Sequence, residues 1–232
     1  MSAVRPYCVV CEGKSEVSYL ARLAKFLGEE AAAQGLFASP VGFVGKPAVH
    51  GSGGGDCKKV MSAYKQERPK NPRTSFCIWV DADLYVRERD DDPDVFNGHR
   101  PVILGRPGKN PPFSFSALAF EDFLAMHFDD ELYGEWKSAF SAAGHFVHPL
   151  HGCDYLPKFQ PFWHRWTGSG VDYEKGELPD DWVSAESLRN LFRHCDDPDV
   201  LAPVKNLTPQ PTFGEFLRTE ILSVFPDLSP AP

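Results

Sequence analysis

The strongest constraint on the fold is a series of short, continuously apolar segments that alternate with helical patterns. Two of them, at residues 7–11 and 76–80, lack the polar alternation of a half-exposed strand, and residues 113–118 are a further strand candidate. Strands that are apolar on both sides are typical of parallel sheets covered by helices on both faces. The sequence therefore predicts an α/β fold built on a parallel, Rossmann-like sheet.

Helical patterns fill the intervals of the first half of the chain. Residues 15–34 place apolar side chains on one face of a helix. A short strand is predicted at 40–44, and the glycine run at 51–56 leads into a helix near 56–68 with Asp56 as its N-cap. Such helices supply the crossover connections that parallel strands require.

After residue 118 the pattern becomes mostly helical. Helices are predicted at 120–128, at 130–143, at 184–194 and, opened by the T-x-x-E capping box of Thr212 and Glu215, before Pro226. Residues 145–166 are predicted as a loop dense in histidine and aromatic side chains. We expect an α/β core over residues 1–160 and a mostly helical C-terminal extension over 161–232 that packs on it.

The charge balance restricts the kinds of partner. The formal net charge of −8 argues against a protein that coats nucleic acid through a generally basic surface. It allows an enzyme that meets nucleic acid through metal ions and one local basic patch. Acids gathered around a metal lower the formal charge without repelling phosphate once the metal is bound.

The cysteines and the N-terminal residues bear on the compartment. The first residues meet charge too early for a secretory signal, so we expect the six cysteines to be reduced thiols in a cytoplasmic protein. Cys8-x-x-Cys11 has no second such pair, which favours small buried apolar residues over a zinc site. No run of 18 apolar residues occurs, and no transmembrane helix is predicted.

Acidic residues follow two of the predicted strands. Glu12 comes directly after the first, and Asp81 and Asp83 come after 76–80. If these strands are neighbours about 4.8 Å apart, their carboxylates converge at the carboxyl edge of the sheet. Asp81 and Asp83 are two apart, so on extended backbone both side chains point the same way. Such acids also commonly cap helices or face water; together they suit a hard cation, Mg²⁺ or Mn²⁺.

The residues around these acids resemble a known family. E-G-K-S-E at 12–16 and W-V-D-A-D at 79–83, each after an apolar strand, resemble the motifs of a Toprim domain, the metal-binding catalytic fold of topoisomerases, primases and OLD-type nucleases. A-F-E-D-F-L-A-M-H-F at 119–128 is similar to the FE-x-W-x-x-x-HF stretch of RloB-like proteins, Toprim-related members of phage-defence and restriction loci. With G-S-G-G-G-D between the first two motifs, the resemblance covers about residues 7–160.

The resemblance implies Mg²⁺- or Mn²⁺-dependent cleavage of phosphodiester bonds in DNA or RNA. Glu12 would be a metal ligand or general base, and Asp81 and Asp83 would hold the metal that activates water. Glu16, one turn along the helix, would support those ligands or hold a second metal. Glu121 would either join the same rim or only complement the dipole of its helix.

Basic residues are candidates for phosphate contacts. Lys158 lies where RloB-like chains place a Tyr-x-Lys, so it would neutralise the transition-state phosphate or be an ordinary surface lysine. Lys14 lies within the first motif and is assigned to substrate binding. Arg165, among the aromatic residues at 159–166, would contact a single strand whose bases stack on those rings; core packing explains the rings equally well.

Several functions and partners stay open at this stage. The leading interpretation is a nuclease of phage defence or restriction that acts on nucleic acid with a partner ATPase or another defence subunit, as a monomer or homo-oligomer, without a membrane. The alternative is a non-catalytic Toprim module that regulates a larger defence complex. Nucleotidyl transfer ranks last because no zinc-binding or second catalytic module is visible, and strand passage would need a further domain with a tyrosine nucleophile.

Overall fold

Four parallel strands form the centre of the structure, a computed structural model that describes residues 4–48 and 57–230. In chain order they are β1 (Arg5–Cys11), β2 (Val41–Pro47), β3 (Ser75–Val80) and β4 (Phe113–Phe115). They pair in the order β2-β1-β3-β4, all parallel. The chain is therefore an α/β protein with a parallel sheet, as the apolar segments predicted.

Four helices belong to the first half: α1 (Lys14–Ala33), α2 (Cys57–Glu67), α3 (Asp83–Asp91) and α4 (Pro93–Ile103), with a short 3-10 helix, Arg68–Lys70, after α2. The helices α1 and α2 confirm the helical patterns. The sequence prediction lacked α3 and α4 because neither has a wide apolar face: α3 buries Tyr85 and Val86, and α4 buries Phe96 and Ile103. The glycine run and its proposed cap, Asp56, lie outside the described residues.

The second half is helical: α5 (Phe120–Ala125), α6 (Asp130–Ala142), α7 (Gly152–Thr167), α8 (Ala185–His194), α9 (Pro198–Lys205) and α10 (Phe213–Leu222), followed by the 3-10 helix Pro226–Leu228. The helix α9 was not predicted. The capping box of α10 is present: the Thr212 hydroxyl accepts from the Glu215 N–H, and the Glu215 carboxylate accepts from the Thr212 N–H at 2.7 Å.

The loop predicted at 145–166 is wrong over most of its length, because α7 occupies it. Tyr155, Phe159 and Trp163 recur every four residues and are all buried, so they form a continuous apolar stripe. Pro157 and Pro161 lie on the exposed side of the same helix. The burial of the aromatic stripe outweighs the two hydrogen bonds that these prolines remove. The expected boundary at residue 160 falls inside α7, so the chain passes it without a break.

The C-terminal helices pack directly on the sheet. The Phe213 ring of α10 stacks on Trp79 of β3 with centroids 3.9 Å apart, and Phe216 contacts the ring of Tyr7 edge-on at 5.2 Å. Five cysteines whose side chains are described are buried free thiols, which confirms their interpretation as small core residues: Cys8, Cys11, Cys57, Cys77 and Cys195. The described helices include none with the length and apolar content to cross a bilayer.

Candidate functional site

Glu12 and Asp81 meet at the carboxyl edge of the sheet. Strands β1 and β3 are neighbours, with Cys11 opposite Trp79, so both chains leave the sheet side by side. The Asp81 N–H donates to Glu12 Oε2 at 3.2 Å. The proximity expected from two acids at the ends of adjacent parallel strands is therefore present.

Asp83 does not follow the predicted geometry. Strand β3 ends at Val80, and Ala82 already has helical backbone angles, so Asp83 is the first residue of α3 instead of a second acid on extended chain. Its carboxylate accepts from the Leu84 N–H at 2.6 Å and pairs with Arg87 at 2.8 Å. The expectation that Asp81 and Asp83 point the same way from a strand is wrong, because the helix starts immediately after the strand.

A backbone junction ties the end of β3 to the segment before α5. The N–H groups of Ala82 and Asp83 both donate to the Leu118 carbonyl at 2.9 Å, and the Ser116 N–H donates to the Val80 carbonyl at 3.0 Å. These bonds extend the β3–β4 pairing beyond the short strand β4. They bring the first turn of α5, and Glu121 with it, to the edge where Asp81 lies.

Two further acids complete the group. Glu16 lies in the first turn of α1 and Glu121 in the first turn of α5, with only 4% and 1% of their surfaces exposed. Both raise the pKa of Asp81 through their charges, as does Asp83 from the start of α3. Together with Glu12 they form what we call the acidic cluster: Glu12, Glu16, Asp81 and Glu121.

Burial and mutual repulsion perturb the acidic cluster. Burial, and with it the charges of Glu12 and Glu121, raises the pKa of Glu16 to about 7, although hydrogen bonds from the backbone act in the opposite direction. Burial likewise raises the pKa of Asp81 well above its ordinary range, followed by the effects of Glu12 and Glu16. Asp81 Oδ1 is buried and has no hydrogen-bond partner among the described residues. Carboxyl groups held in this state are characteristic of functional sites.

Lys175 supplies a cation that the sequence interpretation missed. Its Nζ lies 3.1 Å from Glu121 Oε1. Burial lowers the pKa of Lys175, but the charges of Glu121, Asp81 and Glu16 outweigh burial and raise it overall. The segment is held by Gln160, whose side chain accepts from the Tyr173 N–H at 2.8 Å and donates to the Tyr173 carbonyl at 3.0 Å. No local motif marks Lys175, because it reaches the cluster through tertiary contacts alone.

The structure places the three basic residues selected from the sequence on α1 and α7. Lys14 is exposed at the start of α1, where its Cβ is 3.5 Å from the position that a Cβ on Gly176 would take, so it adjoins the Lys175 segment. Lys158 is exposed on α7. Arg165 pairs with Glu135 of α6, with Nη2 and Oε1 3.0 Å apart. The structure thus brings Lys14 next to the segment that carries Lys175, whereas Arg165 is engaged with α6.

The aromatic residues near Arg165 serve the core. Phe159 and Trp163 are buried and pack against Tyr173, at 5.7 and 4.9 Å between ring centroids. Trp163 also stacks on Trp182 at 4.8 Å. Stacking of nucleic-acid bases on Phe159 and Trp163 does not fit this arrangement, whereas core packing does.

A buried network holds α5 in place. Asp122 accepts from the Tyr155 hydroxyl at 2.5 Å and from His145 Nε2 at 2.9 Å, and its other oxygen accepts from the Ala119 N–H at 2.8 Å. Asp122 and His145 are almost fully buried. Because Asp122 lies in the first turn of α5, directly after Glu121, the network fixes the position of that acid. Sequence reasoning had no signal for it, since its members come from three separate segments.

The fit of a metal ion rests on the chemistry of the acidic cluster. Its donors are all carboxylate oxygens, the ligands that Mg²⁺ and Mn²⁺ prefer, and the partnerless oxygen of Asp81 is among them. The side chains are not positioned as a complete set of metal ligands. Within residues 4–48 and 57–230, no group of three or more His, Cys, Asp or Glu is arranged to hold a metal. The donor type fits a hard divalent cation, in a cluster that Lys175 neutralises in part.

Comparisons with known proteins give no independent assignment. Protein-family models, curated proteins and solved structures were each compared with the chain, and none matched. A functional interpretation therefore has to come from the site.

Proposed function

We propose that this protein is a Mg²⁺- or Mn²⁺-dependent phosphodiesterase that cleaves nucleic acid at the acidic cluster. One observation carries the proposal: Glu16 and Glu121, both nearly fully buried, approach the partly buried Asp81 from separate elements, and one buried oxygen of Asp81 has no hydrogen-bond partner among the described residues. Such an arrangement opposes folding. A bound divalent cation would turn the same repulsion into favourable coordination.

The size of the electrostatic cost at Glu16 supports a functional reason for the arrangement. Glu16 has a pKa of about 7 in place of its ordinary 4.5. At about 1.4 kcal/mol per pKa unit, keeping Glu16 charged costs the fold roughly 3 kcal/mol. This is a sizeable part of the 5–15 kcal/mol that typically stabilises a domain. An apolar residue at this buried position would avoid the cost, so a structural role alone explains it poorly.

The residues have distinct roles in the proposed reaction. Glu12, Asp81, Glu121 and Glu16 would hold the cation, which when bound stabilises charge on the phosphate and activates water. Glu12 is the alternative base for the attacking water, in which case the other three acids would hold the cation. Lys175 would neutralise phosphate oxygens as the bond to the leaving oxygen breaks.

The biological setting is proposed on the sequence resemblance alone. The motifs at 12–16, 79–83 and 119–128 resemble those of RloB-like proteins. On that basis we place the activity in phage defence or restriction, with a partner ATPase or another defence subunit.

The proposal is tested by two measurements on the same variants. Glu12→Gln and Asp81→Asn keep side-chain size and remove charge, and Glu29→Gln, an exposed acid of α1, is the matched control. Labelled RNA and DNA, single- and double-stranded, are incubated with Mg²⁺ or Mn²⁺, and cleavage is followed on gels. We expect the two cluster variants to lose at least a hundredfold in rate, and the control to cleave as wild type.

The second measurement does not depend on cleavage. Mn²⁺ should raise the melting temperature of the wild-type protein and of Glu29→Gln, but not that of Asp81→Asn, because binding to the native state stabilises it. Cation binding without cleavage of any of these nucleic acids would favour the non-catalytic module. No effect of Mn²⁺ on wild-type melting, together with cleavage in EDTA, would refute the metal-dependent mechanism.

A further inference from the structure

Basic residues are concentrated in two segments of this acidic protein. Residues 57–73 and 100–112 contain nine of the 24 Lys and Arg residues but one of the 32 Asp and Glu residues. The rest of the chain, with 15 basic and 31 acidic residues, carries a formal charge of −16, whereas these two segments carry +8. Such a separation directs a polyanion to one part of the surface.

The fold places the C-terminal end of α2, the residues that follow it up to Arg73, and the segment 104–112 at the amino edge of the sheet. Helix α2 and the 3-10 helix Arg68–Lys70 lead into β3, and residues 104–112 lead into its neighbour β4. The acidic cluster lies at the opposite, carboxyl edge. A strand of six residues such as β3 separates the two edges by about 20 Å. The basic segments therefore form a surface distinct from the acidic cluster.

Specific contacts join the two segments into one surface. Arg68 Nη1 donates to the carbonyls of Gly108 and Lys109 at 3.2 and 3.1 Å, and its guanidinium lies 6.0 Å from the centre of the Tyr64 ring. The loop itself is tightly shaped: Gly105 has a φ of +75°, and a Cβ there would lie 2.6 Å from the Pro112 nitrogen. The position of the loop relative to α2 is thus defined by its own backbone and by Arg68.

Between α2 and the loop lies an open groove of about 460 Å³, lined among others by Tyr64, Arg68, Arg106, Lys109 and Gln210. Exposed cations continue from the groove along the end of α2 and towards β3. We define the basic face by the exposed side chains on this side of the sheet: Lys65, Arg68, Lys70, Arg73, Arg106 and Lys109.

We propose that the basic face binds the sugar-phosphate backbone of a nucleic acid, at a place separate from the acidic cluster. Its cations are spread from the end of α2 to the loop instead of being gathered in a single pocket, which suits a polymer with regularly repeated charges. Arginine presents a planar fork of donors that matches phosphate oxygens, and Arg73 and Arg106 are exposed. Each phosphate that the face neutralises releases counterions and adds to affinity.

The test compares two lysines in the same setting. Lys65 on α2 and Lys25 on α1 are both exposed helical residues, so Lys65→Glu and Lys25→Glu change the net charge equally. Binding of fluorescently labelled single-stranded and duplex oligonucleotides is measured by anisotropy in EDTA, over a series of salt concentrations. We expect Lys65→Glu to weaken binding about fivefold or more and to reduce the salt slope by about one, with Lys25→Glu close to wild type.

A double variant and a competitor sharpen the outcome. Lys65→Glu combined with Lys109→Glu should abolish measurable binding while melting as wild type, since both side chains are exposed. Equal binding by the Lys65→Glu and Lys25→Glu proteins would overturn the proposal. Competition by polyglutamate as effective as that of nucleic acid, at equal charge, would also overturn it in favour of an acidic peptide. Because binding is measured in EDTA and the substituted lysines lie outside the acidic cluster, this proposal can fail or hold independently of the proposed nuclease activity.

Discussion

Replacing Glu16 by Gln is expected to make the metal-free protein more stable at neutral and alkaline pH. The folded-state pKa of Glu16 is about 7, and its ordinary value is 4.5. The stabilising contribution of the protonated side chain is complete below pH 4.5 and is lost as the pH rises to about 7. Above that pH the buried charge of Glu16 destabilises the native state to its full extent. Gln is neutral and does not have this effect.

The size of the gain follows from the same shift. At about 1.4 kcal/mol per pKa unit, the expected gain in the free energy of unfolding is up to about 3 kcal/mol at pH 8, and no gain is expected near pH 4. For a chain of this length that corresponds to a rise in melting temperature of roughly 6–12 °C. Gln keeps an oxygen that accepts the backbone hydrogen bonds at Gly13, so the first turn of α1 is preserved.

The assay is urea unfolding in EDTA at pH 4 and pH 8, with Glu29→Gln of the same helix as the control. The expected result is a gain for Glu16→Gln at pH 8 that disappears at pH 4, and no gain for Glu29→Gln at either pH. Adding Mn²⁺ should shrink the difference from wild type, because the cation relieves the repulsion among the acids. A loss of stability at both pH values would show that Glu16 is held by favourable contacts and that the acidic cluster is not under electrostatic strain.

Three other substitutions test separate parts of the structure. Lys175→Met should reduce cleavage more than tenfold but tighten Mn²⁺ binding measured by calorimetry, because its ammonium no longer competes for Glu121; unchanged affinity would argue against that competition. Asp83→Asn should retain far more activity than Asp81→Asn in the gel assay, since it lies on the helix; equal losses would restore Asp83 as a ligand. Phe213→Ala should cost about 3–5 kcal/mol in urea unfolding, and a cost below 1 would contradict its place in the core.

The sheet and the proximity of Glu12 to Asp81 were predictable because they depend on local patterns. Apolar strands without alternation indicate a covered parallel sheet, and acids directly after two such strands, at Glu12 and Asp81, have to meet if the strands are neighbours. The geometry of Asp83 was not predictable in the same way. Whether a chain continues extended or enters a helix after a strand depends on bonds such as those to the Leu118 carbonyl, which no short motif encodes.

The remaining differences have similar physical causes. Three prolines made 145–166 resemble a loop, yet the aromatic stripe through Phe159 stabilises α7 once it is buried. Lys175 lies in a segment without regular structure and reaches the acidic cluster because Gln160 holds the backbone of Tyr173. Contacts of this type depend on the assembled fold, so their residues carry no signal in the sequence alone.

The stacking of Phe213 on Trp79 has a consequence for synthesis of the chain. The central strand β3 is made long before α10, and β1 receives its Phe216 contact from the same late helix. During translation the rings of Trp79 and Tyr7 therefore stay without these partners until α10 has left the ribosome. Because contacts between residues this far apart in the sequence form only after both have been made, this aromatic surface stays uncovered in the nascent chain, and the final closure of the sheet follows the synthesis of α10.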